Sequence, residues 1–498
     1  MRPRFRPGPL AMTLALAACS AESSAPAQGP ATPSAAADPK PQPTPATAPP
    51  VVDACAAAQR EGGPLRWFHD DYAGALACAR SKSLPLMIDM WAPWCHTCLS
   101  MQAYVLTDER LADYDRRYVF LALDTDREAN AAIVARFPPA AWPTFFAVSS
   151  HDESIQSRFV GAATVEQFAS FLDDGERGHQ ATGGAALAAH EAAARDGDRA
   201  SAAKQWGAAI DAYAKALATA PTPWSRAPDV MVSLLSAHNR DKRWAACPQV
   251  VRDHLPKVGN AASASDFSAM ALACADAQAD AQPGAQADAK AATELREAVV
   301  AKLRALVDDR AAPLSVDDRS DALMYLREAL DALGRGDEAR EAAMRQRVML
   351  DEAAGDAKDP RVAMTYNWPR AEVYAYLGVP LELVAALEQS VAALPDEYDP
   401  PYRLAWIYLQ ASKQPANAAK ADDARTWAER AIARAYGPRK AKAQGLLAEI
   451  HRARGDVEAE RAARADALAT LKALPAAAQN PDTIAKAQAD LDAVGKAG

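Results

Sequence analysis

An apolar run that leads directly into a pair of cysteines constrains the fold of this chain more than any other feature. Residues 84–91 read LPLMIDMW, and a continuous apolar segment of this length is typical of a buried strand. Cys95 and Cys98 follow at the start of a pattern that predicts a helix over residues 95–113. A Cys-x-x-Cys motif between a strand and a helix is the arrangement of a redox pair, so the junction predicts an α/β redox domain.

Helical and strand patterns alternate on both sides of this junction. Apolar spacing predicts further helices over residues 67–79, 130–136 and 165–173, and strands over residues 118–123, 144–148 and 157–160. Short strands that alternate with helices predict a mixed sheet flanked by helices, an α/β sandwich. We expect this domain to occupy residues 64–177, after an N-terminal extension over residues 51–63.

The spacing of the two cysteines suits thiol–disulfide exchange. The nucleophile in this chemistry is a thiolate, which the free N–H groups and the dipole of a helix N-terminus stabilise. Cys95 would lie at that terminus, exposed to attack a substrate disulfide, and Cys98 one turn further along would resolve the mixed disulfide. His96 either adds positive charge beside the thiolate or is an ordinary exposed loop residue. Thr97 is a polar spacer between the cysteines.

The sequence IDMWAPWCHTC resembles the strand and motif of the thioredoxins, and the resemblance covers about 110 residues, roughly 64 to 175. It implies a thioredoxin fold in which Cys95 attacks and Cys98 resolves. Trp91 and Trp94 match the two tryptophans of the family. Further residues carry roles by the same resemblance: Asp89 as a buried carboxylate that relays a proton to the resolving thiol, and Trp142-Pro143 as the start of a cis-proline turn that faces the substrate.

The chain departs from the thioredoxin pattern between and after the cysteines. His96 and Thr97 replace the usual Gly-Pro, and Ala122 stands where the family commonly carries a lysine paired with the buried carboxylate. Met101 and Val105 are more similar to the thioredoxin-like domains of periplasmic reductase systems than to cytosolic thioredoxin. These departures affect the expected redox potential and proton relay but leave the exchange chemistry unchanged.

From residue 184 to residue 498 the sequence consists of alanine-rich helical segments with short breaks, and no strand pattern recurs. The run AIDAYAKALATAP resembles the second helix of a tetratricopeptide repeat, in which small residues let antiparallel helices pack closely. The positions that fit such repeats are Ala209, Tyr213, Ala216 and Pro221, then Ala405, Tyr408, Ala424, Ala428 and Ala431, and finally Ala459, Ala463 and Ala467. We therefore predict an all-α repeat domain; an alanine-rich bundle without repeat geometry is the alternative.

The N-terminal segment predicts export. Residues 1–18 combine three arginines with a short apolar stretch, as a secretory signal does, and residues 16–19 resemble the bacterial lipobox, which implies a lipid on Cys19. An ordinary signal peptide cut nearby is the alternative. Residues 19–50 are rich in Pro and Ala and predict a disordered tether. We expect an outer-membrane lipoprotein whose folded part faces the periplasm.

Export to an oxidising compartment favours disulfides. Besides the redox pair and Cys19, the cysteines are Cys55, Cys78, Cys247 and Cys274, which the sequence could pair as 55 with 78 and 247 with 274 or leave as buried thiols. The formal net charge of −9 argues against a nucleic-acid partner. We expect no cofactor and no metal site.

Two functions fit these features. The first is an exported thiol–disulfide oxidoreductase that acts on protein thiols and disulfides, has a redox partner protein, and binds clients on its helical repeats. The second is a repeat-type interaction scaffold of the cell envelope, in which the thioredoxin-like domain is mainly a docking module. The intact cysteine pair favours the first function, because a pure scaffold does not need it.

Overall fold

A computed structural model describes residues 53–281 and 286–495 of the 498-residue chain, with no side chains described for residues 280–288. The predicted signal peptide, the lipidation site Cys19 and the tether lie outside the described residues. Within the described ranges, no helix has the length and apolar character that a membrane crossing requires.

The N-terminal part of the described chain is a six-stranded mixed sheet flanked by helices, which confirms the predicted α/β architecture. The strand order is β1-β2-β4-β3-β5-β6, with β3 parallel to β4 and antiparallel to β5. The strands are β1 (Gln59–Arg60), β2 (Arg66–His69), β3 (Leu86–Trp91), β4 (Val119–Asp124), β5 (Thr144–Val148) and β6 (Ile155–Val160). The helices are α1 (Tyr72–Lys82), α2 (His96–Tyr104), α3 (Ala131–Arg136) and α4 (Val165–Thr182), with a 3-10 helix over Glu109–Arg116.

Three of the predicted helices were wrong in their bounds; the one predicted over residues 165–173 continues as α4 to Thr182. The segment predicted as a helix from residue 67 begins as strand β2, which pairs in parallel with β4, and α1 begins only after Asp71 caps its first turn. Pairing with β4 on one side and β1 on the other outweighs the weak helical pattern of residues 67–69. The helix predicted over 95–113 ends at Tyr104, and a separate 3-10 helix follows it.

The sheet has a core on both faces, which explains why its central strands are continuously apolar. In β5, Phe145 and Ala147 pack with the phenylalanines of α4, whereas Phe146 and Val148 pack on the opposite face with α1. All four side chains are fully buried. Strand β3 lies between β4 and β5, so its C-terminal end is held firmly from both sides.

The rest of the described chain is helical, as predicted. Its α-helices are α5 (Ala189–Ala202), α6 (Trp206–Thr219), α7 (Ala227–Arg240), α8 (Cys247–His254), α9 (Ala262–Ala281), α10 (Gln286–Asp308), α11 (Val316–Ala332), α12 (Gly336–Asp356), α13 (Pro360–Met364), α14 (Asn367–Leu377), α15 (Val384–Ala393), α16 (Asp399–Ser412), α17 (Lys420–Ile432), α18 (Gly437–Ala453), α19 (Val457–Ala473) and α20 (Pro481–Asp492). We call residues 184–495, apart from 282–285, the helical region.

The alanines that suggested repeats lie where neighbouring helices touch. Ala209, Ala216 and Tyr213 of α6 are fully buried in a cluster with α5, and Ala424 and Ala428 of α17 are fully buried against α16. Small side chains at these positions let the paired helices approach closely, in agreement with the predicted reason for the pattern. Tetratricopeptide geometry itself stays a prediction.

The helical region covers the open edge of the sheet at β6. An edge strand carries unpaired N–H and C=O groups that need partners when they are buried. The Arg158 N–H donates to Asp198 of α5 at 2.9 Å, and Arg226 donates to the Arg158 carbonyl at 2.9 Å. Arg226 is 3% exposed and is held by Asp229 of α7 at 2.6 Å. This buried network joins the sheet to the helical region.

Replacing Arg226 should destabilise the protein strongly, because Asp229 would then be buried without its cation and Asp198 would keep only Arg158, at 3.9 Å. We expect Arg226→Ala to lower the free energy of unfolding by about 3–5 kcal/mol, the usual cost of breaking a buried ion pair. Urea denaturation measures this change. Arg110→Ala is the matched control, since Arg110 makes exposed ion pairs, and it should have little effect. Equal effects of the two variants would show that the β6 network does not contribute as described.

Candidate redox site

Strand β3 ends shortly before the cysteine motif, which therefore lies at the carboxyl end of this central strand. Cys95 is the N-cap residue of α2, and its Sγ accepts a hydrogen bond from the Cys98 N–H at 3.0 Å. Cys95 and Cys98 form a disulfide with an S–S distance of 2.07 Å. The sulfur of Cys95 therefore lies against the free N–H groups of the helix start, where a thiolate is stabilised after reduction.

Both cysteines are almost completely buried in this oxidised form. Cys95 is 3% exposed and Cys98 is 1% exposed, and they pack with Ala92, Trp91 and Trp94. The sequence led us to expect an exposed Cys95. The difference arises because the helical region packs against the loop that carries Trp94, a contact that local sequence cannot reveal.

The predicted substrate-facing turn lies beside the motif. Thr144, at the start of β5, pairs with Met90 near the end of β3, so the preceding Trp142-Pro143 lies next to the motif, and its peptide bond is cis. The rings of Trp142 and Trp94 are 5.3 Å apart. Trp142 is 37% exposed, whereas the two cysteines beside it are buried. The exposed Trp142 therefore marks the side from which the site faces solvent.

Asp89 occupies the interior of the sheet, as the resemblance implied. It is 1% exposed and pairs in register with Ala122 of β4, the position where a lysine would have offered a cation. Its Oδ2 accepts a long hydrogen bond of 3.5 Å from Gln102, and its Oδ1 has no hydrogen-bond partner among the described residues. Burial raises the pKa of the Asp89 carboxyl, and the hydrogen bond from Gln102 lowers it by less. The resulting pKa is about 7.

His96 lies at the first position of α2 and forms an ion pair with the helical region. Its Nδ1 is 2.9 Å from Asp317 Oδ1 of α11, and its Nε2 is 4.0 Å from Asp321 Oδ1. Burial alone would lower the pKa of His96, but the two carboxylates raise it to about 10. His96 is therefore a cation at neutral pH. Thr97 is partly buried beside it, with Oγ1 3.4 Å from His96 Nδ1.

The ligand atoms of His96, Asp317 and Asp321 lie within 4.8 Å of one another, close enough for a small cation. A direct hydrogen bond of 2.9 Å already joins two of them. We therefore describe this group as an ion pair.

The helical region contacts both the backbone carbonyl and the ring of Trp94. Arg403 of α16 donates to the Trp94 carbonyl at 3.3 Å, and the guanidinium carbon of Arg439 of α18 lies 3.4 Å from the centre of the Trp94 ring. Asp126, which follows β4, accepts from Trp94 Nε1 at 2.8 Å and also pairs with Arg439 at 3.4 Å. No sequence pattern points to these residues, because their roles depend on contacts between distant segments.

The remaining described cysteines form the two other disulfides that the sequence had left as possibilities. Cys55 pairs with Cys78, which ties the segment before β1 to α1, and Cys247 of α8 pairs with Cys274 of α9. The two bonds stabilise the domain and the helical region, respectively. The Cys95–Cys98 disulfide differs from them in joining two residues only three positions apart, beside the exposed Trp142.

Comparison with known proteins agrees with this geometry. Residues 67–146 match the model of a thioredoxin-like family. The thiol:disulfide interchange protein DsbD of Pseudoalteromonas atlantica is 29% identical over 104 residues, which cover 20% of this chain and 18% of that protein. The chain thus spans less than a fifth of this curated relative. The similarity supports thiol–disulfide chemistry in general terms.

The buried carboxyl of Asp89 in the thioredoxin-like domain should make stability depend on pH. Its pKa of about 7 in the folded protein exceeds the ordinary aspartate value of 3.8. The folded state therefore binds a proton that the unfolded state has lost, and stability falls as pH rises from about 4 to about 7. Asp89→Asn removes this titration, so the variant should gain up to about 4 kcal/mol relative to the parent between pH 4 and pH 8.

Urea denaturation at the two pH values measures this gain. Asp113→Asn is the matched control, since Asp113 lies on the surface in an exposed pair with Arg116. A stability difference between the Asp89→Asn variant and its parent that stays constant with pH would contradict a raised pKa at Asp89.

Proposed function

We propose that this chain is a thiol–disulfide oxidoreductase whose reacting atoms are the sulfurs of Cys95 and Cys98. The observation that carries the proposal is the Cys95–Cys98 disulfide at the start of α2, beside the cis Trp142-Pro143 turn. The match of this domain to a thioredoxin-like family, and its similarity to a thiol:disulfide interchange protein, support the same chemistry.

The reductive half-reaction starts from the two free thiols. The Cys95 thiolate attacks one sulfur of a substrate disulfide, and the other substrate sulfur leaves as a thiolate. Cys98 then loses its proton and attacks the Cys95 sulfur, which releases the second substrate thiolate and forms the Cys95–Cys98 disulfide. Two electrons pass from the cysteine pair to the substrate. The reverse sequence oxidises a dithiol substrate.

Asp89 is the group that we assign to accept the proton from Cys98. A base is most effective when its pKa lies near the working pH, and the Asp89 pKa of about 7 meets this condition. Its Oδ1 has no hydrogen-bond partner in the part of the chain that the structure describes. We assign Trp142 and Pro143 to the turn that receives an extended substrate segment, and Trp94 to its margin.

We further propose that the protein acts on protein thiols and disulfides in the periplasm and has a redox partner protein. The signal-like residues 1–18 and the lipobox ending at Cys19 support export and a lipid anchor in the outer membrane. The three disulfides fit an oxidising compartment. The helical region offers the surface on which clients would bind.

Removal of the resolving thiol should trap the substrate. In Cys98→Ser the first step proceeds but the second cannot, so mixed disulfides through Cys95 should accumulate. Non-reducing electrophoresis followed by mass spectrometry of the full chain expressed in the envelope would detect them. Cys95→Ser, in which the attacking sulfur is missing, is the matched control. The proposal fails if Cys98→Ser traps nothing and the parent protein neither reduces insulin nor oxidises a dithiol peptide.

Asp89→Asn should slow the step in which Cys98 attacks by about a hundred-fold at pH 7, the lower end of the range for loss of a general base. The rate of the parent protein should rise through an inflection near pH 7, where Asp89 loses its proton, and the variant should lack that inflection. Stopped-flow tryptophan fluorescence of insulin reduction from pH 5 to pH 9 measures both. An unchanged pH profile in Asp89→Asn would rule out the proton-relay role.

A further inference from the structure

The helical region contributes charged groups directly to the first turn of α2. His96 lies between the two cysteines in sequence, and Asp317 Oδ1 lies 2.9 Å from its Nδ1. Asp317 is 0% exposed, and its Oδ2 has no hydrogen-bond partner within the described ranges. A buried carboxylate with so few donors depends on the imidazolium of His96 as its counter-charge.

The position of Asp317 is fixed by the start of α11. Ser315 caps this helix, since its Oγ accepts from the Asp318 N–H at 3.0 Å while Asp318 Oδ2 accepts from the Ser315 N–H. The same Ser315 hydroxyl is 3.3 Å from the hydroxyl of Ser100 in α2. The capped first turn of α11 is therefore attached to the redox helix, and it presents Asp317 to His96 in a set geometry.

Several titratable groups from three helices act on His96 or on its carboxylate partners. From α11 these are Asp317, Asp318 and Asp321; from α16 they are Arg403 and Asp399, paired at 2.7 Å; and from α9 it is Asp266, which interacts with Asp318 and Asp321. Arg403 opposes protonation of His96 but is itself neutralised by Asp399. The carboxylates of α11 therefore determine the charge of His96.

Resting on the function proposed above, we propose that Asp317 is a positioning residue of the redox centre. It holds His96 as an imidazolium between the two cysteines, and so keeps the reactivity of Cys95 free of a histidine titration across the neutral pH range. Asp321 assists from the other ring nitrogen. By this arrangement the helical region, rather than the thioredoxin-like domain alone, sets the electrostatics of the cysteine pair.

The reason lies in the balance of two opposing effects on His96. Burial favours the neutral imidazole and the nearby carboxylates favour the cation, and the carboxylates dominate, with a resulting pKa of about 10. Without the carboxylates, burial and Arg403 would leave His96 with a pKa at or below its ordinary value of about 6.5. The imidazole would then gain or lose its charge within the range in which Cys95 must react.

The test is a pH titration of the reduced full-length chain with EDTA present, so that a bound cation cannot supply the shift. Histidine-labelled protein is followed by NMR from pH 5 to pH 9, with the His96 signal assigned from His96→Gln. The alkylation rate of Cys95 is measured over the same range by peptide mass spectrometry. We expect no titration of His96 below pH 8 in the parent protein.

In Asp317→Asn combined with Asp321→Asn, we expect His96 to titrate at or below about pH 6.5, and the Cys95 alkylation profile to gain a second inflection at the same pH. Adding His96→Gln should remove that inflection. Asp308→Asn, which breaks an exposed ion pair with Arg345 in the helical region, is the matched control and should behave as the parent. A merely structural role for Asp317 would change stability without producing the inflection.

The proposal is overturned if His96 of the parent protein titrates near pH 6.5, or if the double variant leaves its titration unchanged. If the double variant does not fold, the single Asp317→Asn variant, which retains Asp321, is measured instead, and it should bring a titration of His96 into the pH 5–9 range where the parent shows none below pH 8. These measurements need no substrate. Their outcome therefore does not depend on the mixed-disulfide trap, which tests the exchange reaction itself.

Discussion

The contact between the first turn of α2 and the helical region is the constraint on which the redox site depends. That turn carries Cys95 at the N-cap, where the helix start stabilises a thiolate. It also carries His96, whose ion pair with Asp317 bridges the two parts of the chain. One turn of helix thus carries both the reacting sulfur of Cys95 and the ion pair that joins the two parts of the chain. A change at the ion pair therefore alters the surroundings of Cys95.

This contact changes the expected role of the helical region. The sequence suggested a repeat domain that binds clients or partners. In the structure, Arg403 and Arg439 hold Trp94, and the β6 edge is closed by Arg226 and Asp198, so the helical region touches the thioredoxin-like domain at two separated places. Among the described residues, the exposed Trp142 lies beside the buried cysteine pair.

The sequence was sufficient for the parts of the site that follow from local pattern. The strand before Cys95, the helix after it and the buried position of Asp89 could all be predicted, because apolar runs and a short motif encode them. Asp317 and Arg403 could not, since 221 and 309 residues separate them from His96 and Trp94. Strand β2 was missed because its pairing with β4, rather than its own pattern, determines its conformation.

A redox titration of the full chain against glutathione, with each cysteine counted by mass spectrometry, tests most directly whether Cys95 and Cys98 are the functional pair. We expect this pair to equilibrate as one two-electron couple at a potential between roughly −270 and −120 mV, the range of thioredoxin-like exchange proteins. The disulfides Cys55–Cys78 and Cys247–Cys274 should stay oxidised throughout. If Cys95–Cys98 resists reduction as they do, it is a structural disulfide and the account is wrong.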